Sequence, residues 1–370
     1  MNRPCLLALV VASAFFAADV QAHPIGSEPD EHSPAGYDFS VRPPTAVLLR
    51  GSQLRADAVL FAQAPRPVVS VGAKSAPAIA TPFQAFGPKV KTRWDERFLY
   101  IESDGLPAHN MMVGITAWQQ QVPLPQPYTG NNAWRIPLQP RVAAQPISAR
   151  NNLFRGAIAL AVNGVPIFNA LNNRGEDAFK IGELDEWGGH CGRADDYHYH
   201  AAPLHLQETA GKGRPIAFAL DGFPLYGLTE PDGTPVAKLD EFNGHFDKNG
   251  GYHYHGTKTY PYVNGGLRGE VTVRDGQVDP QPRAEPMREA GQPLRGARIT
   301  GFASPQAGSW SLTYQLGTET RRIHYALKGD GSVRFEFLDG RGQSRTETYS
   351  PRPRGGDKKG PPPRPGKPKN

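Results

Sequence analysis

Two stretches of the chain alternate large apolar residues with alanine and then turn. Residues 158–162 read IALAV and are followed by the dipeptide NG, while residues 216–220 read IAFAL and are followed by DG. Alternation with a period of two predicts half-buried strands, and these dipeptides favour type I′ hairpin turns. Pro166 and Pro224 stand two residues after each turn glycine. Since proline cannot donate to a strand ladder, we expect each return strand to lie at an edge or to be unpaired there.

Shorter apolar runs predict further strands on either side of these hairpins. Residues 98–101 and 112–115 are two such runs, and the proline-rich stretch QQQVPLPQPY after them predicts an extended loop. In residues 297–349 the runs WSLTY, RIHYAL and VRFEFL alternate and are separated by glycine-rich turns. We expect three or four antiparallel strands there, forming a small sheet.

The two hairpins are each followed by the same histidine-rich motif. LDEWGGHCGRADDYHYH (residues 184–200) and LDEFNGHFDKNGGYHYH (239–255) share nine of seventeen positions, with three histidines in register. The pattern indicates a tandem duplication of 156–200 and 214–255, which are called the first and second segments below. The predicted fold class is therefore mainly β: an internally duplicated β-hairpin domain with a small appended antiparallel β-sheet.

The spacing of the histidines suggests metal chemistry. If YHYH is extended, both of its histidines project to one face, about 6.6 Å apart along the strand, and its tyrosines to the other. A third histidine stands eight residues before each pair and could fold back to the same ion. Asp185, Glu186, Asp195 and Asp196 could supply oxygen ligands or orient the imidazoles. The candidate metal ligands are His190, His198, His200, His245, His253 and His255, with His109 of DGLPAHN as a seventh.

The motifs leave open whether each segment holds its own ion or both build one site. We expect a shared site, because each segment supplies only three imidazoles and Gly250-Gly251 replaces Asp195-Asp196 in the second. Cys191 could be a thiolate ligand, a nucleophile or a buried thiol. The second segment has Phe246 at that position, so a buried thiol is the favoured interpretation.

Composition adds an expected location for the protein. Residues 1–22 have a basic start, an apolar core and a small-residue VQA cleavage site, as in secretory signal peptides, so we expect a periplasmic or secreted protein. No other run is long and apolar enough to predict a transmembrane segment. Of 370 residues, 78 are glycine or proline, which predicts many turns.

The net charge of +6 belongs to the end of the chain. Residues 351–370 carry seven basic residues and one acidic residue, and the remainder balances at 34 against 34. We expect a disordered basic tail with an affinity for anionic envelope surfaces. No basic patch interleaved with aromatic residues predicts nucleic-acid binding in the body of the chain.

These motifs resemble the YHYH-domain family of bacterial, mostly exported proteins. The resemblance covers about residues 85–272 and rests on GAIALAVNGVPIFNALNNRGEDAF, GELDEWGGHCGRADDYHYH, LDGFPLYG and GGYHYHGTKTYPYVNGG. It points to the motif histidines but implies no particular reaction. The predicted organisation is a signal peptide (1–22), a Pro/Ala-rich leader (23–66), the YHYH domain (67–274), a linker (275–296), a small β module (297–349) and the basic tail (350–370).

The function that these patterns favour is an exported metal-binding protein. Zinc or copper suits an imidazole-rich site, and the scarcity of thiolates argues against iron–sulfur chemistry. Two alternatives remain open at this point: a metal-dependent enzyme of unknown reaction, and a structural or ligand-binding module without metal.

Overall fold

A computed structural model describes residues 75–351 of the chain. The predicted signal peptide, the leader, the start of the YHYH domain and residues 352–370 of the tail lie outside the described residues. None of the helices between residues 75 and 351 has the length and apolar character needed to cross a membrane.

The described residues form a mainly β structure, as the alternating pattern predicts; four of its sheets are antiparallel, and the largest is mixed, with two parallel strand pairs. The strands are β1 (Lys91–Trp94), β2 (Phe98–Glu102), β3 (Trp134–Pro137), β4 (Val142–Ser148), β5 (Ala157–Ala161), β6 (Pro166–Phe168), β7 (Gly189–Cys191), β8 (Tyr197–Tyr199), β9 (Ala217–Ala219), β10 (Pro224–Tyr226), β11 (Gly244–Phe246), β12 (Tyr252–His255), β13 (Gly266–Gly269), β14 (Val273–Arg274), β15 (Gln277–Val278), β16 (Ala297–Gln306), β17 (Ser309–Leu316), β18 (Glu319–Leu327), β19 (Val333–Leu338) and β20 (Ser344–Tyr349). The helices are α1 (Thr81–Gln84) and α2 (Leu206–Ala210), with 3₁₀ turns at Ala78–Ala80 and Gly130–Asn132.

An eight-stranded sheet contains both hairpins and both YHYH strands. Its order is β11-β12-β10-β9-β5-β6-β8-β7. The strands of the second segment, counted inward from one edge, therefore follow the same order as their counterparts in the first segment counted inward from the other edge. At the centre, β5 and β9 are antiparallel, and Leu160 lies opposite Phe218, its counterpart in the second segment. This is the arrangement that a tandem duplication predicts. The duplication itself remains an interpretation of the sequence.

The hairpin turns differ from the predicted type I′ form. Type I′ requires a positive φ at both central residues. Here the positive φ falls on Gly164 (+80°) and Gly222 (+98°) but not on Asn163 or Asp221. Ala161 accepts a hydrogen bond from Gly164 N–H and donates its own N–H to the carbonyl of Val165. The loop is thus one residue longer than predicted, with glycine at its left-handed position.

The return strands β6 and β10 are not edge strands, so of the two alternatives drawn from their prolines the edge position is wrong. β6 lies between β5 and β8, and β10 lies between β9 and β12. Pro166 and Pro224 are the first residues of these strands. A proline is tolerated at the first position of a strand, so the missing N–H does not interrupt the interior of the ladder.

The C-terminal sheet has five strands rather than three or four. The predicted runs form β17, β18 and β19, and residues 297–306 and 344–349 add one strand at each edge. Its apolar face belongs to the same hydrophobic core as β5 and β9. The predicted linker is packed against the body as well, because Arg288 is ion-paired with Asp195 and Glu285 N–H donates to Gln126.

One predicted strand near the N-terminal side is wrong. Residues 98–101 lie in β2 of the sheet β1-β2-β3, as expected. Residues 112–115 instead form a turn in which Met112 has a φ of +69°, although Met112 and Ile115 are both buried. The apolar run therefore reflects burial of a loop. Met112 N–H donates to Asp185 at 2.7 Å, which holds this loop against the first segment.

Candidate metal centres

The three histidines of the first segment meet at one point. β7 and β8 are antiparallel, with His190 directly opposite His198. Because side chains alternate along a strand, His200 lies on the same face as His198. His200 Nε2 is 3.0 Å from His190 Nε2 and 3.1 Å from His198 Nε2. This group is called the first cluster.

The second segment repeats this geometry and adds a carboxylate. His245 on β11 lies opposite His253 on β12, and the Nε2 atoms of His245 and His255 are 3.3 Å apart. Glu230 Oε1 lies 3.1 Å from His245 Nε2, and Glu230 Oε2 lies 3.0 Å from His253 Nε2 and 3.4 Å from His255 Nε2. These four residues are called the second cluster.

In three of the histidines, the hydrogen bond made by Nδ1 determines whether Nε2, the nitrogen that faces the centre of the cluster, carries a proton. His198 Nδ1 is 3.0 Å from the carbonyl of Asp196, and His200 Nδ1 is 2.5 Å from the carbonyl of Asn169. His255 Nδ1 is likewise 3.0 Å from the carbonyl of Gly227. A carbonyl oxygen only accepts, so each of these Nδ1 atoms carries the proton in the neutral ring, and each Nε2 presents a lone pair.

Some of the close contacts at the centre of each cluster therefore cannot be hydrogen bonds, because neither atom carries a proton. His198 Nε2 and His200 Nε2 are 3.1 Å apart with two lone pairs facing each other. In the second cluster the lone pair of His255 faces an oxygen of Glu230 at 3.4 Å. Such contacts repel unless a cation lies between them. Metal ligands commonly show this arrangement, in which the other ring N–H donates to a backbone carbonyl.

The donor spacing also fits an ion of zinc size. Metal–ligand bonds of 2.0–2.1 Å in a tetrahedron place neighbouring donors roughly 3.3 Å apart. The closest donor–donor separations in the two clusters run from 3.0 to 3.4 Å. All donor atoms of each cluster lie within 4.8 Å of one another.

Burial disfavours protonation of His190 and His200 in the first cluster, so a proton is a poor alternative to a metal ion between the facing nitrogens. It lowers the pKa of His200 to about 3 and holds the pKa of His190 well below its usual range, and the neighbouring histidines lower both further. Burial also lowers the pKa of His255. Burial alone would raise the pKa of Glu230, but hydrogen bonds from Ala237 N–H and His253 lower it overall, so this carboxylate stays ionised.

Comparison with known proteins bears on this region. Residues 133–235 match the family model described as YHYH protein. Over this range the chain is similar to that family. No curated protein and no solved structure matches the chain. The matched range contains the whole first cluster and Glu230 but ends before the three histidines of the second.

The tyrosines of the YHYH motifs have a different role from the histidines. They lie on the opposite face of β8 and β12, where Tyr197 donates to Asp185 at 2.8 Å and Tyr252 donates to Asp240. Burial raises the pKa of Asp185 to about 7, against four hydrogen bonds that lower it. The repeated aspartate of the LDE motif thus holds a tyrosine and is not part of either cluster.

The other acidic residues of the first YHYH motif are also outside the cluster. Asp195 is paired with Arg288, and Glu186 accepts a hydrogen bond from Asn110. Asp196 is the nearest of them, with Oδ2 3.6 Å from His198 Nδ1. It lies near Nδ1, whereas the candidate ligand atom of His198 is Nε2, so Asp196 can orient the ring but does not face the ion site.

His109 and Cys191 do not join the clusters either. His109 Nε2 is 2.8 Å from the hydroxyl of Tyr199, on the tyrosine face, and its ring stacks on Trp187. Burial lowers the pKa of His109 to about 4. Cys191 pairs with Tyr197 across β7 and β8, and burial raises the pKa of its thiol well above the usual range. A buried neutral thiol on that face is not a metal ligand.

The clusters are separate, so the expected shared site is wrong. The histidines group by segment, and every inner contact lies within one segment. β8 and β12 are five strand intervals apart in the sheet, which corresponds to about 24 Å at the usual spacing. Each segment completes its own cluster because its third histidine is held directly opposite its YHYH strand.

Glu230 was missed by the sequence reasoning. It lies in the connection after the second hairpin, where the two segments diverge in both length and composition. No periodicity marks it. The available signal was its turn, TEPDGTP, whose glycine matches that of LNNRGED in the first segment.

Proposed function

We propose that this protein is an exported metal-binding protein that carries two separate ions of zinc or copper, one in each histidine cluster. The observation that carries the proposal is the His198–His200 contact, in which two ring nitrogens without protons face each other at 3.1 Å. An ion between them turns a repulsive contact into two coordinate bonds. The second cluster supports the same conclusion with the opposed His255 and Glu230.

The donor types favour zinc or copper over other metals. Neutral imidazoles with at most one carboxylate suit zinc and copper, whereas magnesium and calcium prefer sites built from oxygen. No cysteine of residues 75–351 belongs to either cluster. The signal-peptide pattern of residues 1–22 supports a compartment outside the cytoplasm, where such ions would be acquired.

Elemental analysis of untagged mature protein, purified from the periplasm, tests the proposal. We expect two ions per chain in the wild type and one ion in each of the double variants His198→Ala/His200→Ala and His253→Ala/His255→Ala. The variant with all four substitutions should bind none. His324→Ala is the matched control, because His324 lies on β18 outside both clusters and its loss should leave two ions bound.

The result that contradicts the proposal is full metal content in the four-residue variant, which would place the ligands elsewhere. Loss of both ions from either double variant would instead show that the clusters depend on each other. A wild-type protein free of metal after purification, and unable to bind added zinc or copper, would favour a structural or ligand-binding module.

A further inference from the structure

The two clusters differ at one structurally equivalent position. After β6 and after β10 the chain makes the same turn: Asn172 N–H donates to the carbonyl of Glu176, and Glu230 N–H donates to the carbonyl of Thr234. Isolated bridges close both turns in the same way, between residues 171 and 177 and between residues 229 and 235. Asn172 is therefore the counterpart of Glu230.

These two residues use their side chains differently. The carboxylate of Glu230 lies within 3.4 Å of all three histidine nitrogens of its cluster. The amide of Asn172 donates to Glu176 at 3.1 Å and to Glu183 at 3.2 Å, and its oxygen accepts from Arg174 N–H. Its amide is thus bonded to Glu176, Glu183 and Arg174, none of which belongs to the first cluster.

No further histidine, cysteine or acidic residue between residues 75 and 351 joins the first cluster. Among residues 75–351, the histidine, cysteine and acidic atoms within ligand distance of one another there are only those of His190, His198 and His200. His190 lies on β7, the edge strand of the sheet, and is slightly exposed, whereas His198 and His200 are 3% and 4% exposed. The approach to the ion from solvent is thus on the His190 side.

We propose that the first cluster holds its metal with an open coordination position that takes water or a small anion, while Glu230 closes the second. This inference rests on the proposed metal binding. Three protein ligands with one exchangeable position is the arrangement of catalytic zinc sites, and four protein ligands that of structural sites. Three neutral imidazoles also leave the full positive charge of a divalent ion, so an anion binds more strongly there than beside a carboxylate. The first cluster is therefore the site at which an external ligand can bind the metal, and the second binds its ion through protein ligands alone.

Cobalt(II) and sodium azide provide the test. Cobalt(II) replaces zinc and has a visible absorption that reports a change of ligand. The double variant His253→Ala/His255→Ala keeps only the first site, and its cobalt spectrum should shift on addition of azide. The variant His198→Ala/His200→Ala keeps only the second site, and its spectrum should not shift.

Exchange of the distinguishing residue provides the matched control. Glu230→Asn gives the second cluster the residue of the first, so in the His198→Ala/His200→Ala background it should create an azide response. Asn172→Glu in the other background should abolish the response. If the second of these proteins does not fold, the Glu230→Asn exchange alone decides the question.

The possible failures are distinguishable. One cobalt ion in each double variant with no azide shift at the first site would overturn the open position and leave metal binding intact. Absence of cobalt from both would overturn the proposed function itself. An azide shift at the second site without the Glu230→Asn exchange would show that Glu230 does not close it.

Discussion

Arg288 joins three parts of the molecule, and its removal should be costly. Its guanidinium donates two hydrogen bonds of 2.8 Å to Asp195, in the loop between β7 and β8, and one of 2.6 Å to the carbonyl of Gln120. The same group lies 5.0 Å above the ring of Phe335 in the C-terminal sheet. The side chains of Arg288 and Asp195 are only 10% and 4% exposed. Arg288→Ala would leave a buried carboxylate without its partner.

The expected loss follows from this burial. Removing one member of a buried ion pair costs about 3–5 kcal/mol, because the remaining charge stays desolvated. Burial already raises the pKa of Asp195 despite the hydrogen bonds from Arg288, so the carboxyl can take up a proton in the variant and the lower end, about 3 kcal/mol, is expected. At about 2–4 °C per kcal/mol for a domain of this size, the melting temperature should fall by about 6–12 °C.

Thermal unfolding of metal-free protein in chelator measures this loss without a contribution from bound ions. Arg283→Ala is the control, since Arg283 belongs to the same linker and is exposed, and both of its hydrogen bonds to Asn132 come from the backbone: its N–H donates and its carbonyl accepts. Its melting temperature should stay within about 2 °C of wild type, as for most surface substitutions. A melting temperature of Arg288→Ala equal to that of the control would refute the reasoning.

Three further predictions concern other parts of the fold. Burial lowers the pKa of His205 to about 3 and that of His109 to about 4, so stability should fall as the pH drops from 6.5 towards 4, because the unfolded chain binds more protons in that range. His205→Phe should reduce this loss by about 3 kcal/mol at pH 4, and an unchanged dependence of the melting temperature on pH would contradict it. Tyr254→Phe removes a buried hydroxyl that donates to Asp221 at 2.5 Å and should cost about 2 kcal/mol in chemical denaturation, whereas a neutral result would show that water replaces it. Truncation at Tyr349 should leave the melting temperature nearly unchanged and weaken retention on anionic vesicles, and a much lower melting temperature would show that the tail packs.

The local elements were predictable because their signals are local. Alternation identified the hairpins and the C-terminal strands, and the period of two correctly placed His198 and His200 on one face. The same period correctly separated them from the tyrosines. Opposition of His190 and His198 follows from the short β7–β8 hairpin, so the idea that the third histidine folds back to its own pair was also within reach of the sequence.

The rest depended on tertiary contacts that leave no periodic pattern. The run at 112–115 is apolar because a loop is buried, which periodicity cannot distinguish from a strand over four residues. Separation of the clusters depends on the order of eight strands, in which β10, β9, β5 and β6 lie between them. Glu230 joins its cluster through a turn that the alignment of the two segments did not cover. Each of these features is determined by contacts with residues distant in the sequence, and not by the local sequence pattern.

The glycine before each third histidine shows how the tyrosine face supports the metal face. A Cβ at Gly189 would collide with the hydroxyl of Tyr197, and a Cβ at Gly244 would collide with that of Tyr252. The tyrosines cross their neighbouring strand at these glycines to reach the aspartates of the LDE motifs. That crossing is possible in only one register, because a shift by one residue would place a histidine on the tyrosine face. The hydrogen bond between tyrosine and aspartate therefore sets which residue of β7 or β11 stands opposite the YHYH strand. The spacing of the LDE, GH and YHYH elements, which the two segments share, therefore serves both faces of the strands. The tyrosine face fixes the strand pairing, and this pairing brings three imidazoles together on the other face.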